Sequence, residues 1–518
     1  MGKLLNHKEK IILFLILLAA AFFRLYLIEE YLTFLGDEGR DVLVAYKILH
    51  GDLTLLGPTA SVGGFFLGPI YYYFMAPFLW LFNYNPVGPA IMVSLFGIAT
   101  VMLIYKVGKE FFGTNTGLIA AGLYAISPLV VTYSRSSWNP NPMPFFSLLT
   151  LYLIYKAVKK NNIKLFILSG FLFGITMQLH YLALFLGVII FVYILLNHFV
   201  YSRNNYISKS IKNYLWIFLG FIIGWSPFLA FEVRHGFPNI ISIFNFILAS
   251  GDTGGSTQFT PTLIDVFFRI FGRLVANFPE PQKVALGAHL DMAIWYYAAF
   301  LLGIVSVWFL IKRFIKEYKS RSPEFSKISL LVVWFILGVG LFGFYKKSIY
   351  DYYFGFMFPL PFFIVSFFIV NLWKKGIGKF VAISILLILI WLNSLTLPFK
   401  ASANRQLKQV EEISKFVIDK VDNKPFNFAL ITGGNSDHAY RYFFTIWQKE
   451  PVTIQNVSLD PKRTTVTNQL LVVCEIVPDC HPLGHSVWEI AGFGRAEIVE
   501  DWDVSVVKVF KLEHYKGK

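Results

Sequence analysis

The sequence predicts a polytopic α-helical membrane protein that ends in a small extracytoplasmic α/β domain. Of its 518 residues, 56% are hydrophobic and only 15% are charged, whereas soluble domains carry about a quarter charged residues. Apolar runs long enough to cross a bilayer recur as far as residue 398, and beyond it the chain is no longer apolar overall. We therefore predict a transmembrane domain at 1–398 and a soluble domain at 399–518.

Eleven apolar runs have the length of a membrane-spanning helix, which needs about 20 residues. The first run continues past the small residues "AAA" at 19–21, and this favours a membrane anchor over a cleaved signal peptide. The runs lie near 11–28, 86–105, 115–133, 143–158, 164–179, 181–197, 214–231, 292–311, 328–345, 354–372 and 380–398.

The basic residues orient these spans. A twelfth candidate, 67–83, is short and aromatic and contains two prolines. If it lies in the interface, the Lys and Arg clusters between the other spans face the cytoplasm, as the positive-inside rule requires. We therefore predict juxtamembrane helices in the first outer loop, a cytoplasmic N-terminus and an outer C-terminal domain at the plasma membrane. The net charge of +15 belongs to those loops and does not indicate nucleic-acid binding.

The C-terminal segment shows alternating helix and strand patterns. "NRQLKQVEEISKFVIDKV" has helical periodicity, and "FNFALIT", "QLLVVCEI" and "VSVVKVFKL" are typical of strands. The two cysteines, Cys474 and Cys480, have a spacing that matches zinc sites poorly. In an oxidising compartment they are disulfide candidates, and two unpaired small core residues are the alternative.

The stretch "FLGDEGRDVL" follows the first span and carries Asp37, Glu38, Arg40 and Asp41. A carboxylate at the membrane face can act as a general base for an incoming hydroxyl or bind a cation. An acidic cluster is equally typical of the first turn of a helix. The sequence alone does not choose between these interpretations, although we assign Asp41 to the helix start.

Four further polar clusters fall on the same outer side of the predicted membrane. A cation there can face a lipid phosphate, and amides and tyrosines can bind a sugar; turns, interhelical bonds and snorkelling anchors are the structural alternatives. The clusters comprise Arg135, Asn139 and Asn141; Gln178, His180 and Tyr181; Glu232, Arg234 and His235; and Lys346, Lys347, Tyr350, Asp351 and Tyr352.

The sequence lacks the motifs of several common reaction classes. There is no Walker loop, no GxSxG, no HExxH and no His/Cys metal signature. We therefore expect no metal and no cofactor, and a substrate that already stores the energy of the reaction.

The block "GDEGRDVLVAYKILHGDLTLLGP…GPIYYYFMAPFLWLF" resembles the first outer loop of GT-C glycosyltransferases of the protein mannosyltransferase and aminoarabinose transferase type, a family 39-like group. "SPLVVTYSRSSWNPNPMPFFSLLTLYLIYKA" and "YKKSIYDYYFGFMFPLPFF" are similar to later regions of those proteins. The likeness covers roughly residues 1–400, and the segment 399–518 matches no soluble module that we can name.

The resemblance implies an inverting, metal-independent transfer from a polyprenyl-phosphate-linked sugar to a protein, lipid or glycan acceptor. It implies that Asp37 is the catalytic base and that Glu38 supports it. Many relatives have an acidic residue near the position of Asn141, where this chain has an amide. The leaving phosphate needs cationic partners, and the candidates are Arg40, Arg135, Arg234, Lys346 and Lys347. Sugar or acceptor contacts are expected from Asn139, Asn141, His180, Tyr181, His235, Tyr350, Asp351 and Tyr352.

Two other functions remain open at this point. A transporter or flippase for a lipid-linked saccharide would also place polar loops near a lipid path, but such proteins tend to show repeats and charges at the membrane midplane. A receptor or scaffold would not depend on Asp37. We favour the transferase because the charges lie at loop depth.

Overall fold

The computed structural model describes residues 7–248, 251, 253, 254, 258–374 and 376–517. Helices predominate in this part of the chain, and short 3-10 turns join several of them. In chain order the helices are α1 (His7–Leu25), α2 (Gly36–Leu49), α3 (Ile70–Leu81), α4 (Val87–Phe112), α5 (Thr114–Ile126), α6 (Pro128–Tyr133), α7 (Met143–Lys160), α8 (Ile163–Leu179), α9 (Leu184–Tyr201), α10 (Tyr206–Gly224), α11 (Ser226–His235), α12 (Pro238–Leu248), α13 (Phe259–Phe268), α14 (Leu290–Ser320), α15 (Phe325–Gly340), α16 (Pro359–Trp373), α17 (Gly378–Leu395), α18 (Gln406–Lys420), α19 (His438–Ile446) and α20 (Trp488–Phe493).

The chain forms two compact units. The first, here called the membrane unit, comprises 1–26, 54–71 and 90–401. The second, here called the outer unit, comprises 27–53, 72–89 and 402–518. The C-terminal segment therefore shares a unit with α2 and most of α3, which precede it by several hundred residues.

The apolar helices of the membrane unit agree with an integral membrane protein. Within the described residues, five segments are long and apolar enough to span: α4, Tyr181–Tyr201, α14, Phe325–Phe344 and α17. Two bent pairs also qualify when each is taken as one span: α10 with α11, bent by 77°, and Asp351–Met357 with α16, bent by 64°. The count of eleven spans and the orientation stay predictions.

Two features of the predicted outer segments differ from simple loops. The stretch 232–291, which lies between the seventh and eighth predicted spans and so on the predicted outer side, contains α12 and α13, which the sequence patterns did not indicate. Its glycine-rich part, "GDTGGST", falls largely outside the described residues. Helix α3 has 12 residues and is therefore roughly 18 Å long, shorter than the roughly 30 Å hydrocarbon core.

Close helix packing in the membrane unit depends on small residues. Helices α8 and α10 approach at Gly170 and Gly220, where an added Cβ would lie 2.0 Å from the Ile217 carbonyl oxygen and 1.9 Å from the Ile167 carbonyl oxygen. Membrane helices lack a hydrophobic driving force between them, so their association depends on such close backbone contact.

The outer unit contains the predicted α/β domain. Its sheet has the order β1-β2-β4-β3, formed by β1 (Asn427–Ile431), β2 (Gln469–Cys474), β3 (Ala496–Val504) and β4 (Val507–His514). β1 and β2 pair in parallel, and β4 runs antiparallel to both β2 and β3. The patterns indicated β1, β2, β4 and α18 but not β3. Cys474 and Cys480 form a disulfide with an S–S distance of 2.01 Å.

Candidate active site

The acidic stretch forms the first turn of α2, which lies in the outer unit. The residue before the helix is Leu35, which has an extended backbone (φ −119°) and no polar side chain to cap the helix. Glu38 turns back instead, and its Oε2 accepts from the Leu35 backbone N–H at 3.1 Å. This is one half of a capping box, in which the third helical residue satisfies an exposed donor.

Arg40 joins two of the carboxylates in this turn. It donates from Nη1 to Asp37 Oδ1 at 2.9 Å and from Nε and Nη2 to Asp41 Oδ1 at 2.9 and 2.8 Å. Tyr72 on α3 donates its hydroxyl to the same oxygen at 3.3 Å. The prediction that Asp41 is merely a helix-start residue was wrong, since it is fully buried and anchors Arg40.

The three carboxylates differ in how deeply they are buried. Desolvation raises the pKa of Glu38 to about 7 and outweighs its two backbone hydrogen bonds, while repulsion from Asp41 and Asp37 adds to the rise. Desolvation also raises the pKa of Asp41 to about 6, although the Arg40 guanidinium opposes the change. The side chain of Asp37 is 61% exposed. Asp37 is therefore the solvent-facing carboxylate of the three.

The glycines of the acidic stretch allow α2 to pack tightly against the segment that begins α19. A Cβ on Gly39 would lie 2.3 Å from the Ala439 nitrogen, and one on Gly36 would lie 2.8 Å from the Ser436 nitrogen. Real Cβ atoms do not approach backbone so closely, so these positions accept only glycine without a shift of the chain. No local pattern in the sequence indicates this contact, which joins residues about 400 positions apart.

Three residues of the outer unit therefore stand next to the acidic turn. Asn435 Oδ1 accepts from the Gly36 N–H at 2.8 Å. Ser436 Oγ and His438 Nδ1 share a hydrogen bond of 2.7 Å. Burial lowers the pKa of His438, and Arg40 and Asp37 act on it in opposite directions. Sequence reasoning missed all three residues.

In the membrane unit, aromatic residues from separate predicted clusters meet. The His180 ring stacks on Tyr181, with centroids 4.5 Å apart, and contacts Tyr352 and Tyr353 at 5.7 and 5.2 Å. The hydroxyls of Tyr181 and Tyr345 are 3.1 Å apart. The predicted segments 178–181 and 346–352 are therefore neighbours in the fold.

Asp351 has a different environment from the one expected of a sugar contact. It is buried between two arginines: Arg269 donates to Oδ1 from Nε at 2.8 Å, and Arg273 Nη2 lies 2.6 Å from Oδ2. This placement gives Asp351 the role of a counter-ion. Nε and Nη1 of Arg273 are buried, and the described residues offer them no hydrogen-bond partner.

Sequence reasoning missed Arg269 and Arg273. They form the two ends of a π-helical turn, Arg269–Arg273, after α13, and such turns are frequent at functional sites. A usable signal was present, because two arginines four residues apart in the apolar stretch "FFRIFGRLVA" are costly unless they are paired.

Three residues that were predicted to contact a ligand donate hydrogen bonds to backbone carbonyls. Arg135 is buried and donates to the carbonyls of Phe23 and Tyr26, at 2.8 and 2.7 Å. Asn139 donates to the Leu179 carbonyl at 2.6 Å, and Asn141 donates to the Ser136 carbonyl at 2.7 Å. Arg135 thus caps the C-terminal end of α1, where a cation is favoured.

The remaining predicted residues lie at the surface of the membrane unit. Arg234 and His235 are exposed at the end of α11, next to Glu232, which is buried and accepts from Asn239 at 2.7 Å. Lys346, Lys347 and Tyr350 are exposed in the loop that follows α15.

An apolar cavity of about 480 Å³ opens beside the aromatic cluster. Tyr181 and Tyr345 belong to both, and the other lining side chains include Phe65, Phe185, Trp225 and Phe246. The volume and the almost wholly apolar lining are typical of a site for an apolar ligand. Among the described residues, no group of three or more His, Cys, Asp or Glu side chains is arranged to hold a metal ion.

One protein family and one relative each match part of this chain. The family described as dolichyl-phosphate-mannose-protein mannosyltransferase matches residues 67–231. YkcB of Bacillus subtilis (strain 168), a predicted mannosyltransferase, is 29% identical over 82 residues. That match covers 16% of this chain and only 12% of YkcB.

Solved structures match over most of the chain. ArnT from Cupriavidus metallidurans, bound to undecaprenyl phosphate, has a TM-score of 0.61 and 11% identity over 97% of each chain. The apo oligosaccharyltransferase of Archaeoglobus fulgidus has a TM-score of 0.54 and 14% identity, over 86% of this chain and 64% of its own. The archaeal AglB complex with an inhibitory peptide and a dolichol-phosphate has a TM-score of 0.52 and 12% identity, over 90% and 69%. This chain is therefore an integral membrane protein with the GT-C fold of the mannosyltransferase and ArnT type.

Proposed function

We propose that this protein transfers a sugar from a polyprenyl-phosphate-linked donor to an acceptor hydroxyl at the outer face of the membrane, with Asp37 as the general base. The observation that carries the proposal is the exposed Asp37 carboxylate, held by Arg40 at the start of α2 while Glu38 and Asp41 are buried. The fold supports the reaction class, since its neighbours include ArnT and oligosaccharyltransferases.

The reaction is a single displacement. The acceptor oxygen attacks the anomeric carbon as the bond from that carbon to the phosphate oxygen breaks. The proton of the acceptor passes to Asp37, and the bonding electrons leave with the polyprenyl phosphate, which needs no general acid. A single displacement inverts the anomeric configuration. A positioned base contributes about 10²–10⁴-fold to such a step.

Arg40 suits a supporting role at this carboxylate. Its bond to Asp37 orients one carboxylate oxygen, and its two bonds to Asp41 fix the guanidinium in the fold. Glu38 is bound to the backbone of its own helix, which fits the supporting role implied for it.

We propose that Arg273 binds the donor phosphate. Its guanidinium is held by Asp351 on one side, and its Nε and Nη1 have no partner among the described residues. A buried guanidinium with unsatisfied donors is a strong site for a phosphate oxygen. Lys346, Lys347 and Arg234 are exposed and could assist in attracting the anionic headgroup.

The apolar cavity of the membrane unit suits the lipid chain of the donor. Its lining is apolar and aromatic, and a polyprenyl tail needs no polar contact. Two structural neighbours bind undecaprenyl phosphate and a dolichol-phosphate, which supports a donor of the same class here.

A direct test uses the purified protein in proteoliposomes with polyprenyl-phosphate sugars labelled in the sugar, and an envelope extract of the source organism as the acceptor pool. Free polyprenyl phosphate and labelled product should appear in equal amounts. Movement of intact donor across the bilayer without cleavage would overturn the proposal and favour the flippase. Mannose and pentose donors are assayed side by side, because neither the sequence nor the fold selects the sugar.

A further inference from the structure

The residue at the cap position of helix α2 supplies no side-chain acceptor to the first turn. A helix leaves its first four N–H groups without partners inside the helix, and Leu35, at the cap position, has no side-chain acceptor. The N–H of Gly36 instead donates to Asn435 Oδ1 at 2.8 Å. The first turn of the helix that carries Asp37 is therefore capped by a residue 399 positions later in the chain.

Asn435 is itself held in place. Its Oδ1 also accepts from the Ser436 N–H at 2.8 Å, and its amide lies 3.5 Å from Glu475 Oε2. Glu475 accepts from Thr432 at 2.6 Å and from Tyr440 at 2.9 Å. These contacts fix the orientation of the Asn435 amide with its oxygen toward Gly36.

The surrounding backbone gives this arrangement little freedom. Gly36 and Gly39 lie against Ser436 and Ala439, with space only for hydrogen atoms at their Cα positions. Glu475 follows Cys474 directly and lies inside the loop closed by the disulfide to Cys480. The cap, its amide partner and the packing face thus all belong to the C-terminal α/β domain.

We propose that Asn435 is a positioning residue for the transfer: by capping α2 from the C-terminal domain, it fixes the first helical turn and with it the Asp37 carboxylate. The inference rests on the proposed function, in which Asp37 is the base. Asp37 follows Gly36 directly, so fraying of this turn moves the carboxylate. A misplacement of about 1 Å in a reacting group can cost about 10²-fold in rate.

The opposing explanation is that Asn435 only joins two parts of the outer unit. That role predicts a loss of stability when Asn435 is changed but no specific effect on turnover. The two explanations separate when helix opening, thermal stability and the steady-state constants are measured on the same variants.

The test compares three variants of the full-length protein: Asn435→Ala, a double variant in which Asn435 and Glu475 exchange their amide and carboxylate groups, and a control at a position away from the cap. In the double variant Asn435→Asp with Glu475→Gln, the carboxylate and the amide exchange places, so an acceptor for Gly36 and the contact between the two side chains are both kept. Asn456→Ala is the control, because Asn456 accepts from Ser458 in an exposed turn of the same domain.

Hydrogen exchange of amides 36–39 reports the cap without any need for activity. In Asn435→Ala we expect exchange about fivefold faster, since losing a cap costs about 1 kcal/mol. We expect kcat to fall about 10–100-fold with less than a twofold change in KM for the donor. The double variant should recover both readouts, and Asn456→Ala should resemble wild type.

Each other outcome overturns part of the account. Unchanged exchange in Asn435→Ala would show that Asn435 is not the cap. Faster exchange with an unchanged kcat would show that Asn435 caps the helix but has no positioning role in the transfer. If the wild-type protein transfers sugar from no lipid-linked donor, the proposed function fails and the positioning role fails with it, while the exchange result still decides whether Asn435 caps α2.

Discussion

At the scale of single residues, one short stretch holds three carboxylates in three environments. Asp37 is exposed, Glu38 bonds to its own helix start, and Asp41 is buried against Arg40. The sequence left a helix start and a reaction site as equal interpretations, and the two are compatible, because the helix start is what presents Asp37. The chain could not show which carboxylate is buried, since that depends on α3 and α19.

Asp41→Asn should weaken the outer unit. Asparagine keeps an acceptor but removes the charge that faces Arg40. Breaking a buried ion pair costs about 3–5 kcal/mol of stability. Because Arg40 is 29% exposed, we expect a smaller loss in the free energy of unfolding, roughly 1–3 kcal/mol. Thermal melting of the purified protein measures the change. Tyr72→Phe, which removes only the 3.3 Å bond, should cost about 1 kcal/mol, and an equal loss in both variants would contradict the ion-pair assignment.

Glu38→Gln should change how stability depends on pH. Burial raises the pKa of Glu38 from 4.5 to about 7 in the folded chain, so the folded state binds this proton more tightly than the unfolded state. The resulting stabilisation is complete below pH 4.5 and is lost as the pH rises to about 7.

Glutamine stays neutral throughout, so Glu38→Gln should melt a few degrees above wild type at pH 8 and near wild type at pH 4.5. Glu29→Gln, at an exposed position, serves as the control and should show no such difference. A melting shift for Glu38→Gln that is the same at both pH values would contradict the raised pKa.

At the scale of elements, the contact between α2 and α19 determines where the acidic turn lies. Its glycines and Asn435 have no local signature, because the pairing residues are about 400 positions apart. In contrast, the amphipathic pattern of α18 and the apolar strands β1 and β2 are local signals, and the structure confirms them. For Arg269 and Arg273 the local sequence shows two costly arginines but not the residue that pairs with them, because Asp351 lies about 80 positions later.

Gly39→Ala tests this packing. The new Cβ would lie 2.3 Å from the Ala439 nitrogen, so the helices must separate, and we expect a loss of about 1–3 kcal/mol together with lower transfer activity. Gly340→Ala is the control, because nothing lies within 4 Å of a Cβ there, and alanine is favoured in a helix by up to about 1 kcal/mol. Equal melting temperatures for both variants would argue against close packing of α2 on α19.

At the scale of the whole molecule, the sequence correctly predicted a helical membrane protein with a C-terminal α/β domain. Hydropathy and periodicity carry that information because a bilayer requires long apolar helices with internally satisfied backbones. The division into units was less predictable. The boundary expected at 399 separates 27–53 and 72–89 from the C-terminal segment, whereas these stretches belong to one compact unit.

The predicted orientation can be tested by labelling single cysteines with a membrane-impermeant maleimide on intact cells. The native cysteines are paired, so they should not react. Asn161→Cys, at the exposed end of α7, should be protected, and Ser348→Cys, in the exposed loop after α15, should react. Labelling of Asn161→Cys from outside would reverse the orientation.

The central claim is that Asp37 is the base for sugar transfer. The most direct measurement compares kcat and donor affinity for wild type, Asp37→Asn and Asp52→Asn, where Asp52 is an exposed aspartate beyond the end of α2. We predict that Asp37→Asn lowers kcat about 10²–10⁴-fold while the donor still binds, and that Asp52→Asn matches wild type. Wild-type turnover by Asp37→Asn would contradict the account.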